Sequence, residues 1–304
     1  MEKIGIVGAG LMGQGIAQVF ALAGHQVTVF DVNHDALASL VTRTEHNLLE
    51  LALDSACAAN ITPAAELGEA VNDADIVFEA GPEDLSWKQT LFAQLESLAP
   101  ANAILASNTS AIPITRIVER LESGHRAMGT HWWNPPFLVP LVEVIKTPDT
   151  DHAIARRMFD LLTRAGKTPA MVEKDIPGFI GNRLQHALWR EAIALVANGV
   201  CDAETVDTVV KASFGRRLPV LGPLENADLV GTDLTLAIHQ VLLPAIDCQP
   251  VPSPYLDALV KSGRLGMKTG HGFRRWTAEQ QAELRSSIFQ HLKAMDAADR
   301  CEEK

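Results

Sequence analysis

The chain has 304 residues, 47% hydrophobic and 21% charged, which is ordinary for a soluble globular protein and long enough for two domains. Its formal net charge of −11 excludes general nucleic-acid or membrane-surface binding, which needs an excess of Lys and Arg. Four cysteines, Cys57, Cys201, Cys248 and Cys301, form neither a CxxC pair nor a Cys/His metal spacing, so no metal is expected and a reduced, cytoplasmic protein is the simplest reading.

Met1 stands two residues ahead of a buried-strand pattern, which leaves no room for a cleavable leader. No apolar run reaches the roughly 18 residues expected of a membrane span. Residues 3–8 (KIGIVG) read as the first buried strand, and Gly8-Ala9-Gly10-Leu11-Met12-Gly13 follows it and opens a helix. Residues 26–31 (QVTVFD) are the second strand and end in Asp31. A GxGxxG between a strand and a helix, with an acidic residue ending the next strand, is a dinucleotide-binding unit. Gly8 permits the tight turn, Gly10 lets backbone approach a pyrophosphate, and Gly13 lets the helix pack on the strand. Leu11 and Met12 start the helix whose free N–H groups face the phosphates. Asp31 is placed to accept from ribose hydroxyls and to repel the extra phosphate of NADP. The next basic residue is Arg43, on the following helix, so NAD is preferred.

Further strands are predicted at residues 74–80, 103–108, 127–133, 141–145 and 169–173. Helical spacing takes over at 178–198, 203–213, 229–243 and 278–297. The expected fold class is therefore α/β, an N-terminal doubly wound Rossmann-type sheet followed by a C-terminal all-helical domain. Pro177 and Gly178 place the hinge at residues 174–178. The expected domains are 1–175 for NAD binding and 176–304 for substrate and dimerisation.

His131 ends a predicted strand, where ligands meet a doubly wound sheet. Glu143 lies twelve residues later inside the apolar run 141–145, a costly place for a carboxylate unless it is paired. A His–Glu pair satisfies it and suits a general base, which oxidation of an alcohol by NAD requires. A structural His131, and a Glu143 bound to a backbone amide, are the alternatives left open by the residues alone.

The chain resembles the 3-hydroxyacyl-CoA dehydrogenase family in GIVGAGLMGQGIAQVFA, ASNTS at 106–110, HWWNPP followed by LVEVI, IPGFIGNRL at 176–184 and MKTGHGF at 267–273. The resemblance implies His131 as base and Glu143 as its orienting partner. It implies Ser110, Asn134 and Asn182 as polar groups around the substrate's hydroxyl and carbonyl, and Glu83, Lys88 and Lys268 near the cofactor. It implies a homodimer through the helical domain and oxidation of an L-3-hydroxyl to the 3-ketone. The 3-hydroxyisobutyrate dehydrogenases start similarly but use a Lys base, and HWWNPP followed by Glu143 separates this chain from them.

Residues 33–75 depart from the family's usual lysine-bearing segment, with one basic residue, Arg43, against eight acidic ones. A CoA phosphate prefers positive neighbours. Phe214-Gly215-Arg216-Arg217-Leu218 resembles the branch that acts on free hydroxy acids, which includes gulonate and carnitine dehydrogenases and lambda-crystallin. In that branch an Arg aligned with Arg217 faces the substrate and holds a carboxylate by two hydrogen bonds. These departures favour a small free 3-hydroxy acid over an acyl-CoA such as 3-hydroxybutyryl-CoA. A non-catalytic, crystallin-like NAD binder is the reading from a different class. Trp132 and Trp133 stand where paired Phe is commoner, either narrowing the pocket or packing in the core.

Overall fold

A computed structural model describes residues 1–302; residues 303–304 and the Cys301 thiol lie outside the described part. By contact the chain forms two compact units, Met1–Arg183 with the stretch from Phe289 onward, and Leu184–Ile288. By contact, residues 176–183 and the stretch from Phe289 fall in the first unit. Ile180 and Gly181 are bonded to Glu143, and Lys293 donates to the Glu50 carbonyl, so both segments belong with the first unit.

The first unit is built on an eight-stranded sheet, β1 (Lys3–Val7), β2 (Gln26–Phe30), β3 (Ile61–Ala64), β4 (Ile76–Glu79), β5 (Ile104–Ser107), β6 (Ala127–Trp132), β7 (Leu141–Ile145) and β8 (Thr168–Val172). The spatial order is β3-β2-β1-β4-β5-β6-β7-β8. The first six strands are parallel, in the order of a doubly wound dinucleotide fold, and the chain reverses direction across the sheet between β1 and β4. β7 is antiparallel to β6, and β8 is parallel to β7.

Helices cover both faces, so the strands are apolar on both sides. Ile4, Ile6, Ile76 and Phe78 enter one core with Phe20 and Trp132, while Val7, Val77 and Leu105 enter the other with Phe92 and Ile114. Strand alternation thus feeds two separate clusters. Phe20, fully buried on helix α1 (Leu11–Leu22), stacks on Phe78 with centroids 5.0 Å apart. β3 is absent from the sequence expectation because ITPA is short and holds Pro63. As an edge strand it tolerates a residue with no N–H to donate.

The second unit is helical apart from isolated bridges at His271. The helix expected over 229–243 is two, Pro223–Val230 and Thr232–Leu242, because Gly231 takes φ +99° between them. Ala203–Ala212 and these two helices carry no buried residue, and Leu224, Leu229 and Val241 are each more than 70% exposed. None of the helices among the described residues is long and apolar enough to cross a membrane.

Candidate active site

Parallel strands bring the C-terminal ends of β1, β4, β5 and β6 to one edge of the sheet, and the site residues gather there. Gly8 leaves β1 with φ +114°, and a Cβ on it would lie 2.6 Å from the Ala80 carbonyl oxygen. A Cβ on Gly13 would lie 1.8 Å from the Gly8 oxygen, so only glycine lets α1 start this close to β1. Gly10 is different, because nothing stands within 4 Å of its Cβ position. It is also the N-cap of α1 and supplies no side-chain cap, so no capping side chain takes the first-turn N–H groups at Leu11 and Met12. An uncapped helix start with an unobstructed approach fits a dinucleotide pyrophosphate.

Asp31 accepts from the Ala9 N–H at 2.5 Å and the Asn33 N–H at 2.7 Å, one bond to each oxygen. A carboxylate has about four acceptor sites, which leaves capacity for ribose hydroxyls. Asp31 does not cap the next helix, because the Asn33 side chain does.

At the ends of β4 and β5 lies a buried polar network. Lys88 is 1% exposed and pairs with Glu79 at 2.6 Å and with Glu83 at 3.7 Å. Glu79 also accepts from Ser107 and the Gly81 N–H. Glu83 accepts from the Thr109 hydroxyl and the N–H groups of Ser110 and Ala111. Burial alone raises the Glu83 pKa, but those donors and the Lys88 charge outweigh it and hold the carboxyl below its usual range. Lys88 is therefore a buried ion-pair partner of Glu79, and Glu83, whose carboxylate binds the Ser110 loop, lies beside it. The sequence reading does not single out Glu79, although its signal is the one that marks Glu143, a carboxylate inside an apolar strand.

His131 on β6 and Glu143 on β7 are directly opposite in the antiparallel register, so their side chains share a face. His131 Nδ1 lies 2.7 Å from Glu143 Oε2, with the two residues 4% and 1% exposed. The other carboxylate oxygen accepts from the N–H groups of Ile180 at 2.9 Å and Gly181 at 3.0 Å, where the helix Gly181–Ala197 begins. Both readings of Glu143 left open by the sequence are thus realised at once. Burial pushes the Glu143 pKa up, but the bonds from His131, Gly181 and Ile180 outweigh it and hold the carboxyl below its usual value. An ionised carboxylate only accepts, so Nδ1 carries a proton, and in the neutral imidazole Nε2 is left with the lone pair. Trp133 and Phe179 flank the imidazole at centroid distances of 5.3 and 5.6 Å. Phe179 holds φ +50° with its ring fully buried, a conformation rare for a bulky residue and kept here by packing.

Asn182 donates to the Ser110 carbonyl at 2.8 Å, bringing two of the expected polar groups together. Asn134 is exposed three residues beyond His131. Trp132 packs in the core, and Trp133 is only half-buried. Trp133 packs where Gly181 has no side chain, since a Cβ there would meet its ring at 2.5 Å. Arg217 and Lys268 are exposed residues of the second unit. Among the described residues no group of three His, Cys, Asp or Glu side chains is arranged to hold a metal.

Residues 3–176 match the family model described as 3-hydroxyacyl-CoA dehydrogenase, NAD binding domain, and residues 178–276 match that of the same family's C-terminal domain. The chain is 33% identical over 300 residues to 5-formyl-3-hydroxy-2-methylpyridine 4-carboxylate 5-dehydrogenase of Mesorhizobium japonicum, covering 97% of each chain. A crystal structure of an enzyme of that name, described as an NAD+-dependent dismutase, superposes with TM-score 0.91 at 32% identity and covers 99% of both chains. The (S)-3-hydroxybutyryl-CoA dehydrogenase of Ralstonia eutropha superposes with TM-score 0.74 at 32% identity, covering 91% of this chain and 99% of that one.

Proposed function

The chain belongs to the 3-hydroxyacyl-CoA dehydrogenase family, whose cofactor is NAD, and on that premise we propose that it oxidises a secondary L-3-hydroxyl to the 3-ketone, reversibly, on a small free hydroxy acid. The observation that carries this reading is the buried His131–Glu143 pair beside the β6 end. Bound NAD supplies the hydride acceptor. His131 Nε2 removes the hydroxyl proton, and Glu143 stabilises the imidazolium that results. Glu143 keeps its charge through the Ile180 and Gly181 N–H groups, so the imidazole stays in the tautomer a base needs. Ser110, Asn134 and Asn182 are assigned to the substrate's oxygens, and Glu83, Lys88 and Lys268 to the surroundings of the cofactor.

Two features favour the free acid over a CoA thioester. The one Lys or Arg of residues 33–75, Arg43, donates to the Ala9 carbonyl, which leaves that segment no free cation for a CoA phosphate. Exposed Arg217 offers a two-point grip on a carboxylate. The M. japonicum relative is named for a free pyridine carboxylate, which agrees with this choice.

We assign residues 1–175 to NAD binding and 176–304 to substrate binding and dimerisation. The homodimer reading is supported by the helices of the second unit that bury none of their own residues. The cytoplasm is assigned from the free thiols Cys57, Cys201 and Cys248. The deciding experiment is an NAD-reduction screen across small 3-hydroxy acids and their CoA thioesters, run with the wild type and His131→Ala. Turnover of a free acid that disappears in the variant is expected. Far faster turnover of 3-hydroxybutyryl-CoA would overturn the substrate assignment, and unchanged turnover in the variant would overturn the base.

A further inference from the structure

We propose that Arg43 is a positioning residue for NAD, acting through the backbone of the glycine turn. Its guanidinium lies 34 positions from Ala9 in sequence, yet Nη2 donates to the Ala9 carbonyl at 2.8 Å. The same nitrogen donates to the Ala36 carbonyl at 2.8 Å, Nε donates to Ser39 Oγ at 3.1 Å, and Nη1 donates to the buried Gln14 side chain on α1. The Ala9 N–H meanwhile donates to Asp31. The two peptide groups flanking Ala9 are therefore each tied by a charged side chain, one anionic and one cationic. Ala9 itself is fully buried.

Those two peptides set where Gly10 sits and how the first N–H groups of α1 point. A turn held at both peptide groups is already in the shape that receives a pyrophosphate, so less ordering is left for the binding step. Arg43 does this without touching the ligand. Four of its five N–H groups are used inside the protein, so no two-point grip remains for a 2′-phosphate. A basic residue in the acidic 33–75 segment thus reinforces NAD binding and is no marker of NADP.

The test is fluorescence titration of NADH and NADPH, with steady-state kinetics, on the wild type, Arg43→Met and Arg43→Lys. Arg43→Met is expected to weaken NADH about tenfold, the size of one lost charge-assisted hydrogen bond to a buried carbonyl. The KM for NAD should rise in parallel, with the loss concentrated there and not in kcat. Arg43→Lys keeps the charge but reaches fewer acceptors, and should fall between. Ser39→Ala, which removes the Nε partner together with the Ser39 hydroxyl's own bonds to the Asp35 and Ala36 carbonyls, should weaken NADH about twofold even if Arg43→Met folds poorly. NADH affinity unchanged in both Arg43→Met and Ser39→Ala would overturn the proposal. So would wild-type binding of NADPH that is lost in Arg43→Met, since Arg43 would then be a phosphate ligand.

Discussion

Replacing Glu143 by Gln keeps the volume and removes one charge, and its consequence can be followed atom by atom. Glu143 accepts three hydrogen bonds, two from backbone N–H groups and one from His131 Nδ1. A Gln has one carbonyl oxygen. If that oxygen stays on the Ile180 and Gly181 N–H groups, its NH2 faces Nδ1, and the imidazole proton must move to Nε2. The base is then in the wrong tautomer. A comparable acid-to-amide change behind a catalytic His costs about 10⁴-fold in kcat, so a fall of about 10³- to 10⁴-fold, or ~4–5.5 kcal/mol of transition-state stabilisation, is expected. The assay is NADH formation under saturating NAD, with NADH affinity measured in parallel. Retention of more than about a tenth of wild-type kcat would refute the orienting role. Stability offers a second readout. The folded pKa of Glu143 is depressed, so its contribution is full above the unfolded pKa and is lost as pH falls through the folded one. Wild type should lose this stability on acidification, and Glu143→Gln should not.

Three further outcomes are expected. Gly10→Ala should fold with a melting temperature near wild type but bind NADH poorly, whereas Gly13→Ala, with its Cβ 1.8 Å from a backbone oxygen, should lower the melting temperature itself. Gly181→Val should overpack Trp133 at a cost of about 1–3 kcal/mol in chemical denaturation, and Trp133→Phe in the same chain should recover part of it. Lys167 donates to the Pro136 and Val139 carbonyls, and burial lowers its pKa to about 8. Its folded pKa is below the unfolded one, so wild-type stability should rise as pH climbs from about 8 towards the unfolded value. Lys167→Met should flatten that rise, and an unchanged slope would show that Lys167 is not its source.

The dinucleotide unit is legible in the sequence because its parts are local. A strand, a glycine turn, a helix start and a strand-end Asp31 fall within one short stretch, and each residue's backbone demand shows in its type. His131 and Glu143 are legible one at a time, as a strand-end His and a carboxylate in an apolar run. Sequence alone leaves each with two readings. The antiparallel β6–β7 register puts them opposite one another, and the N–H groups of Ile180 and Gly181 show that Glu143 fills both of its roles. Lys88 is placed near the cofactor by resemblance alone, and only the structure brings Glu79 and Glu83 to its charge.

Length and hydrophobic period by themselves determined an α/β chain, and the glycine turn with Asp31 determined its dinucleotide-binding start. Where Arg43 ends, which tryptophan is core, that β3 joins the edge, and that the stretch around Lys293 packs with the first unit were decided only by the tertiary structure. Periodicity records which face of an element is buried. It does not record which distant backbone group that face meets, because such partners are set by how the whole sheet and its helices close around one another.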